Sequence, residues 1–492
     1  MEATVSALKP PQLWRHFWSL TQIPRPSGHE KKVSQYVKDL AAGKGLKWAE
    51  DGTGNLVVRT PGVGTGVTAP PVLIQGHLDV VCEKNNDVEH DFFSDPLKLE
   101  INGDWLKAKG TTLGADNGIG VAAALAMIDS PPTCCPPLEL LFTVDEESGL
   151  TGAKDLDATA LGLSSKTMLN LDTEEWGEVC IGCSGGGDAR LELKVESEEI
   201  PSGHESFSLR VSGLLGGHSG LEINQYRGNA LKWIAAILEE ILRSVPECRI
   251  VELEGGDKRN ALPREAWATV SIPSSEVEST KSAVAASFAV LREEYSRKEK
   301  QADATLNPAE GTSTSCLTPE SQSRLLGLLV GLPHGPQKFS HAMPELVETS
   351  CNLASIKLDA KESKYTIVMS IRSSISGALE RTRRQIQTVG NLCGATCTTN
   401  EAYPGWNPEP DAPIVKLVSK CYEDMNGAQP KIVALHAGLE CGILGERIPG
   451  IGMVSYGPTI KGAHSPDERV HIPSVDLFWQ LTLRVLESLG KP

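Results

Sequence analysis

The chain has 492 residues, of which 40% are hydrophobic, and this is enough to build the cores of two or three globular domains. Its 47 Lys and Arg residues against 63 Asp and Glu residues give a formal charge of −16, which argues against nucleic acid or an anionic membrane as a partner. Residues 1–20 lack the pattern of a secretory signal, and no apolar run reaches the roughly 20 residues that a membrane helix needs. The 12 cysteines are scattered and suit a reducing compartment, so we expect a cytoplasmic protein.

The first part of the chain alternates predicted helices and strands. Residues 31–46 carry apolar side chains about every 3.6 residues, which is typical of a helix with one buried face. Gly103 predicts the turn of a hairpin. The predicted elements are helices at 11–20 and 31–46, strands at 55–59 and 71–75, and a hairpin at 92–106.

The strand at 71–75 is followed by a glycine, and then by His77 and Asp79, two residues apart. In an extended chain, residues i and i+2 point to the same side, so an imidazole and a carboxylate leave the strand end together. That pair suits a metal ligand and the acid that orients it. A lone His-x-Asp is common by chance, so a metal site here depends on ligands from elsewhere in the chain.

A glycine-rich segment at 109–120 leads into a predicted alanine-rich helix at 121–128. Such loops can bind phosphate, but the glycine spacing is not that of a nucleotide-binding motif, and no Lys-Ser or Lys-Thr pair follows. The segment is better interpreted as a tight turn that exposes Asp116.

Two further predicted strands end in acidic residues: 138–144 leads to Glu146 and Glu147, and 167–171 leads to Asp172. Strands that alternate with helices predict a mostly parallel sheet, and such sheets bind ligands at the carboxyl ends of their strands. The residues expected at this edge are His77, Asp79, Asp116, Glu146, Glu147 and Asp172.

Three glycines at 185–187 predict a hinge between domains. Beyond them, a strand at 207–211 leads through a Gly/Ser loop to a helix at 229–242. A strand at 365–371 leads through a similar loop to a helix at 378–392. We interpret these two units as related halves of one inserted α+β domain. The segments predicted between them are a charge run at 292–301, interpreted as a solvated helix end, and a polar loop at 311–315.

The chain is expected to return to the first domain near Ala395. His464 lies there in a loop, between a predicted strand at 450–456 and a final helix at 475–489, and an amphipathic segment precedes them at 414–425. The predicted fold is α/β, with a mostly parallel-sheet first domain and an inserted α+β domain. The predicted domains are 1–186 and 395–492 for the first domain and 187–394 for the inserted domain.

His464 is added to the residues of the predicted sheet edge, and two imidazoles with several carboxylates suit zinc or a similar divalent ion. The acids are too many for one zinc and would repel each other, so two ions about 3.5–4 Å apart, bridged by one acid, explain the set better. Asp79 can accept a hydrogen bond from His77. Of Glu146 and Glu147, one is needed as a ligand, and the other can take a proton from a metal-bound water. Any one of these residues alone would more often be a solvated loop residue, so the prediction rests on their coincidence at element ends.

Eight motifs extend along nearly the whole chain. They are Gly-His-Leu-Asp-Val (76–80), Thr-Leu-Gly-Ala-Asp-Asn-Gly-Ile-Gly (112–120), Asp-Glu-Glu-Ser-Gly-Leu-Thr-Gly-Ala (145–153), Leu-Asp-Thr-Glu-Glu (171–175), Gly-Gly-His-Ser-Gly (216–220), Asn-Ala-Leu-Pro-Arg (260–264), His-Ala-Gly-Leu-Glu-Cys-Gly (436–442) and Gly-Ala-His-Ser-Pro-Asp-Glu (462–468). This ordered set resembles the bacterial aminoacyl-histidine dipeptidases, also called cytosol non-specific dipeptidases. Those enzymes are co-catalytic dizinc peptidases related to carboxypeptidase G and aminoacylases.

The resemblance implies two Zn²⁺ ions per chain, with Co²⁺ or Mn²⁺ as possible substitutes. Asp116 would bridge the two ions, Glu146 would be the general base, and Asp79 would orient His77. The implied ligands are His77, Asp116 and Asp172 for one ion and Asp116, Glu147 and His464 for the other.

The resemblance also implies that the first domain is catalytic and that the inserted domain is a lid, in which His218 polarises the substrate carbonyl and stabilises the oxyanion. Asn260 and Arg372 would hold the substrate, with Arg372 clamping its terminal carboxylate through a bidentate pair. His436 is expected to line the pocket. Some relatives carry a duplicated lid that stands in for the lid of a partner subunit, so a monomer or a homodimer is expected.

The sequence therefore predicts a metallo-dipeptidase that hydrolyses unblocked dipeptides, of the Xaa-His type or with broad specificity, with Glu146 as general base. An N-acyl amino acid amidohydrolase or a tripeptidase of the same fold is an alternative, because lid contacts set the substrate length. A catalytically silent binding or scaffold protein is a third alternative. Such a protein would lack at least one of the implied metal-ligand residues, and none of them is missing from this sequence.

Overall fold

The computed structural model describes residues 1–310 and 314–491, and the chain divides into two compact units. The first unit comprises Met1–Cys183, Trp406–Ala434 and Leu439–Pro492. The second comprises Ser184–Gly405 and Leu435–Gly438. Most of the polar loop predicted at 311–315 lies outside the described residues.

The chain leaves the second unit after Gly405, later than the return predicted near Ala395. The strand Thr396–Thr399 accounts for the difference, because it pairs antiparallel with the strand Gly185–Lys194 of the second unit. The three glycines interpreted as a hinge begin that strand instead. A Cβ atom at Gly185 would lie 2.3 Å from the Tyr403 carbonyl oxygen, so the glycine is needed there for close packing.

The segment Leu435–Gly438, which contains His436, also belongs to the second unit, although it falls inside the predicted catalytic range 395–492. The Ser184 N–H lies 3.0 Å from the carbonyl oxygens of both Leu435 and Ala437. These backbone contacts join the segment to the start of the second unit.

An eight-stranded sheet forms the centre of the first unit. Its four middle strands are parallel, as predicted, and the strands on both sides of them are antiparallel. In spatial order the strands are Lys47–Glu50, Leu56–Thr60, Leu138–Thr143, Val72–His77, Thr167–Asn170, Gly452–Ser455, Glu178–Cys183 and Lys431–Leu435. Residues of the middle strands are almost all buried, as expected for a sheet covered on both faces.

A small antiparallel sheet and nine helices complete the described part of the first unit. The hairpin predicted with Gly103 at its turn is present, although its first strand begins only at Leu99. The strands of the small sheet are, in order, Ile460–Lys461, Arg469–His471, Trp105–Ala108 and Leu99–Asn102. The helices are Glu2–Val5, Pro11–Thr21, Lys31–Gly43, Ala115–Asp129, Glu146–Gly149, Thr151–Lys154, Pro413–Asn426, Glu440–Arg447 and Ile472–Leu489.

The second unit is built on a nine-stranded sheet with four longer helices. The main strand order is Asp303–Pro308, His204–Ser212, Ala266–Pro273, Arg249–Gly256, Val347–Asp359, Lys364–Ser373, Gly185–Lys194 and Thr396–Thr399, and Gly335–Phe339 pairs with Val347–Asp359. A separate pair of short strands is formed by Ser197–Glu199 and Ser315–Leu317. The helices are Ala230–Ser244, Val277–Glu294, Pro319–Gly331 and Ser376–Leu392.

The predicted two halves are visible in this strand order, because each half contributes four strands and both halves meet at the central pair Arg249–Gly256 and Val347–Asp359. The predicted pairing of segments is wrong, however. By position in the sheet, Lys364–Ser373 corresponds to Ala266–Pro273, and not to the strand at 207–211. The Ser/Gly loops that suggested the repeat therefore follow strands at different positions of the two halves.

One apolar core spans both halves of the second unit and includes Trp233, Val270, Leu328 and Ile367. The charge run at 292–301 contains the end of the helix Val277–Glu294, as predicted, but it is not solvated throughout. Glu299 within it is buried and accepts the N–H groups of Gly228 and Leu215. In the described part of the chain, no helix combines the length and hydropathy that a bilayer crossing requires.

Candidate metal centre

The polar residues predicted at the sheet edge lie at the carboxyl ends of the parallel strands. His77 is the last residue of its strand, and Asp172 lies two residues beyond Thr167–Asn170. Glu146 and Glu147 begin the short helix after Leu138–Thr143. Parallel strands bring these ends to one edge, so the topology alone gathers the residues.

Asp116 and His464 reach the same edge from segments outside the sheet. Asp116 lies in the first turn of Ala115–Asp129, where its own backbone angles are non-helical (φ −81°, ψ 113°). His464 lies in the loop between Ile460–Lys461 and Arg469–His471, in a left-handed conformation with φ 62°. His464 is half-exposed, whereas the other members of the cluster are largely buried.

The five predicted ligands form two overlapping groups, and Asp116 belongs to both. Within each group, one candidate ligand atom per residue lies within 4.8 Å of the others. Asp116 Oδ1 is 3.1 Å from His77 Nε2, and Asp116 Oδ2 is 3.3 Å from His464 Nε2. The groups are His77, Asp116 and Asp172, and Asp116, Glu147 and His464. The two oxygens of one carboxylate thus face different histidines.

Glu146 lies beside this cluster, since it forms a third such group with His77 and Glu147. Burial, together with repulsion from Asp172 and Glu440, raises the pKa of Glu146 well above its ordinary value.

Asp79 connects several parts of the centre. Its Oδ1 lies 3.3 Å from His77 Nδ1 and accepts the Glu146 N–H at 3.0 Å. Its Oδ2 accepts the Glu147 N–H at 3.1 Å and the Ser27 hydroxyl at 2.7 Å. Although burial opposes the charge, the nearby His77, the Ser27 hydroxyl and the Glu146 N–H lower the pKa of Asp79 to about 2. Asp79 is therefore placed to orient His77 and also the backbone that carries both glutamates.

The electrostatics of the cluster favour a cation. Hydrogen bonds to Asp116 and then to Glu147 raise the pKa of His464 to about 11. Burial opposes a charge on His77, yet Asp172, Asp116 and Asp79 raise its pKa well above the ordinary value. The same carboxylates would stabilise a metal ion in place of these protons.

One buried oxygen also fits a metal ligand. Glu147 Oε1 has no hydrogen-bond partner among the described residues, while Glu147 Oε2 lies 3.0 Å from His464 Nε2. A buried carboxylate oxygen without a donor is costly unless a cation completes its surroundings. The donor set of imidazole nitrogens and carboxylate oxygens suits zinc and similar divalent ions.

A buried polar network lies behind the centre, and the sequence did not reveal it. Glu440 Oε2 accepts hydrogen bonds from Gln75 Nε2 at 2.6 Å and Thr143 Oγ1 at 2.8 Å, and Gln75 Oε1 accepts one from Asn170 Nδ2 at 2.6 Å. Gln75 lies two residues before His77, so the period-two rule could have placed it on the same side of the strand. The partner Glu440 is 365 residues away from Gln75 and gave no local signal.

The residues predicted for the lid lie in the second unit, and three of them meet around Gly220. A Cβ atom at Gly220 would lie 2.2 Å from the His436 carbonyl oxygen, 3.0 Å from His218 Cε1 and 3.1 Å from Arg372 Nε. Asn260 joins this region through its backbone, because its carbonyl oxygen accepts the Ser219 N–H at 2.8 Å, while its side chain is exposed. The second unit therefore holds a polar cluster of His218, Arg372 and His436, which we call the basic cluster.

His218 is neutral in this arrangement. Its Nδ1 accepts the N–H groups of Leu221 at 3.0 Å and Gly220 at 3.3 Å, so the ring proton is placed on Nε2. Burial and the nearby Arg372 charge lower the pKa of His218. Its Nε2 is thus a hydrogen-bond donor.

His436 is buried, and its Nε2 lies 2.7 Å from the Ser350 hydroxyl oxygen. Burial, followed by the Arg372 charge, lowers the pKa of His436 to about 3. Arg372 Nε is buried and has no hydrogen-bond partner in the described part of the chain, and Arg372 Nη1 lies 3.5 Å from the Tyr403 hydroxyl. The basic cluster therefore carries a guanidinium whose buried Nε–H has no hydrogen-bond acceptor among the described residues.

The first unit has a sheet with parallel central strands, and histidines and carboxylates lie at its carboxyl edge. These features place it among α/β proteins that are equipped to bind metal ions. Residues 73–488 match the family described as peptidase family M20/M25/M40. The chain is 38% identical over 485 residues to the cytosol non-specific dipeptidase of Escherichia coli (strain K12), covering 99% of each protein.

Solved structures show the same likeness. Aminoacylhistidine dipeptidase from Vibrio alginolyticus matches with a TM-score of 0.93 and 38% identity, covering 98% of both chains. Aminopeptidase PepT from Bacillus cereus matches with a TM-score of 0.55 and 16% identity, over 98% of this chain and 100% of its own, and so shares the fold.

The chain therefore belongs to peptidase family M20/M25/M40 and is a peptide-bond hydrolase. This confirms the family that the motifs predicted and the α/β fold that the alternation of strands and helices predicted. The roles assigned to single residues stay predictions.

Proposed function

We propose that this chain is a metallo-dipeptidase that hydrolyses unblocked dipeptides with two divalent metal ions, preferably Zn²⁺. Asp116 carries the proposal, because its two carboxylate oxygens lie 3.1 Å and 3.3 Å from the imidazoles of His77 and His464. One carboxylate that faces two ligand sets is what a bridge between two ions requires. The substrate class is supported by relatives named as dipeptidases, which are 38% identical over almost the whole chain.

The ligands proposed are His77, Asp116 and Asp172 for one ion and Asp116, Glu147 and His464 for the other, and Co²⁺ or Mn²⁺ would substitute for zinc. Two such ions would act as Lewis acids on the scissile carbonyl and on the attacking water.

Glu146 is the proposed general base. A Glu146 carboxylate oxygen accepts a proton from the attacking water, and the same carboxyl then donates that proton to the nitrogen of the leaving amino acid. Asp79 keeps Glu146 in place through the Glu146 N–H and keeps the His77 ring oriented. The peptide bond is thereby exchanged for a carboxylate and a free amine.

The basic cluster is proposed to bind the rest of the substrate. His218 Nε2–H would donate to the carbonyl oxygen as negative charge develops on it. Arg372 would hold the terminal carboxylate through two N–H groups, which its unpartnered Nε favours. Asn260 would help to hold the substrate, and the neutral His436, fixed by Ser350, would line the pocket.

We further propose that the enzyme works in the cytoplasm on small peptides, as a monomer or a homodimer. The cysteine usage favours a reducing compartment, and the Escherichia coli relative is named for the cytosol.

The test is a substrate panel measured together with metal content. Full-length protein should contain two zinc ions and should cleave Xaa-His dipeptides. Activity only on N-acetyl amino acids would favour the amidohydrolase alternative, and activity only on tripeptides would favour the tripeptidase. Fewer than one zinc per chain, with no activity after metal addition, would favour the scaffold protein.

A further inference from the structure

Glu468 is a buried carboxylate that accepts four consecutive backbone N–H groups. Its Oε2 accepts Leu113 N–H at 2.7 Å and Gly114 N–H at 3.0 Å. Its Oε1 accepts Ala115 N–H at 2.7 Å and lies 3.4 Å from the Asp116 nitrogen. We call residues 113–116 the bridge loop, because they end at the proposed bridging ligand.

The shape of the bridge loop makes this contact possible. Gly114 has a left-handed conformation with φ 66°, which glycine adopts at little cost. A Cβ atom there would lie 2.7 Å from Val80 Cγ1, so the position also lacks room for a side chain. Successive N–H groups in such a turn converge on one point and form an anion-binding concavity, and Glu468 fills it.

Arg25 holds the same loop through its carbonyl groups. The buried guanidinium donates to the Gly114 carbonyl oxygen at 2.7 Å, and also to the carbonyl oxygens of Leu78 at 2.7 Å and Asp79 at 3.2 Å. The bridge loop is thus bound by a buried anion on its N–H groups and by a buried cation on a carbonyl group. Arg25 also ties it to the strand end that carries His77.

Glu468 belongs to the loop that carries His464, four residues earlier. Its own N–H donates to the Ser465 carbonyl oxygen at 3.0 Å, which closes a turn between the two residues. A single side chain therefore links the segment of His464 to the segment of Asp116.

We infer that Glu468 is a positioning residue that fixes Asp116 between the two ligand sets and so controls the affinity of both metal ions. This inference rests on the proposed function. Because Asp116 belongs to both ligand groups, displacement of the bridge loop would weaken the binding of both ions. The loss of His464 alone would weaken the binding of one ion.

Glu468→Gln is the sharpest change. The amide keeps the size of the side chain but turns an NH₂ group toward two backbone N–H donors, so about half of the contact becomes repulsive. We expect the affinity for both zinc ions to fall about 10- to 100-fold, the usual effect of losing a residue that orients metal ligands.

Glu139→Gln is a matched control in the same unit. Glu139 is equally buried and accepts the N–H and hydroxyl groups of Ser164 and Ser165, yet it lies near the start of Leu138–Thr143, away from the end that faces the centre. It therefore reports the general cost of weakening a buried, loop-binding carboxylate.

The experiment measures zinc transfer from full-length holoenzyme to a competing chromogenic chelator, together with the absorption spectrum of the Co²⁺-substituted protein. The inference is supported if Glu468→Gln lowers the affinity for both ions and alters the cobalt spectrum, whereas Glu139→Gln does neither. It is overturned if the two variants behave alike, or if Glu468→Gln lowers the affinity for only one of the two ions.

If Glu468→Gln does not fold, Glu468→Asp serves the same comparison, because it keeps the charge and withdraws both oxygens by one methylene. A wild-type protein that holds fewer than two ions would instead contradict the proposed function, so the two failures are distinguishable.

Discussion

The candidate metal centre and the basic cluster carry opposite charge, and they shift the pKa values of their histidines in opposite directions. In the metal centre, carboxylates raise the pKa of His464 to about 11. In the basic cluster, burial and the Arg372 charge lower the pKa of His436 to about 3. The same side chain is thus biased toward a positive ion in one unit and toward the neutral form in the other.

This contrast suggests a division of tasks. A cluster of carboxylates with histidines attracts cations, and under the proposal these are the metal ions. A guanidinium with neutral imidazoles attracts an anion and offers N–H donors, which matches a carboxylate and a developing oxyanion. Variants in the metal centre should therefore alter metal content or the chemical step, whereas variants in the basic cluster should leave metal content unchanged.

The largest effect is expected from Glu146→Gln. The amide cannot accept the proton of the attacking water, so kcat should fall by about 10²–10⁴. Zinc content should stay at the wild-type value, because Glu146 is proposed as the base and Glu147 as the ligand. Steady-state kinetics and metal analysis on the same sample measure both.

Glu178→Gln is a control for this variant, since Glu178 is an acid of the same unit whose carboxylate contacts Lys431. Loss of zinc in Glu146→Gln would show that the roles of Glu146 and Glu147 are exchanged.

A somewhat smaller effect is expected from His218→Asn in the basic cluster. The Asn side-chain oxygen can replace Nδ1 as acceptor for the N–H groups of Gly220 and Leu221, but no donor remains at the Nε2 position. We expect kcat to fall by about 10²–10³, as for the loss of one oxyanion donor. An unchanged kcat in stopped-flow or steady-state assays would remove His218 from the chemical step.

The gathering of the candidate ligands at one sheet edge was more predictable from the sequence than the contacts that support them, for a physical reason. His77, Glu147 and Asp172 lie at or just beyond the carboxyl ends of parallel strands, and such ends must meet at one edge. The contacts of Glu468 with the bridge loop span more than 350 residues and leave no periodic signal. Glu468 is the last residue of the motif at 462–468, but only the folded chain shows what its carboxylate binds.

The second unit was less predictable for a similar reason. The sequence indicated two halves, yet it matched segments by their Ser/Gly loops, whereas the sheet order matches them by strand position. His436 was assigned to a pocket but placed in the catalytic range, because the backbone contacts of Ser184 with Leu435 and Ala437 join residues distant in the chain.

Arg372→Lys should raise KM with little change in kcat. Lysine keeps the charge but loses the planar fork that binds a carboxylate through two N–H groups. The loss of one charged hydrogen bond corresponds to about a tenfold rise in KM. Kinetics with a dipeptide and with its C-terminal amide check the assignment, because the amide should show the same KM in both proteins. A lower kcat at unchanged KM would contradict the role as carboxylate clamp.

The smallest effect on catalysis is expected from Gly220→Ala, which tests whether the basic cluster acts as one unit. The added Cβ would lie 2.2 Å from the His436 carbonyl oxygen, a backbone atom that cannot move without its segment. We expect a loss of stability of about 1–3 kcal/mol, as for overpacking, and a rise in KM smaller than that of Arg372→Lys. Gly377→Ala is the control, because a Cβ at Gly377 meets no atom within 4 Å. Thermal unfolding, kinetics and zinc content should be measured for both variants. A change in the zinc content of Gly220→Ala would contradict separate roles for the two clusters, whereas a change in KM alone would support them.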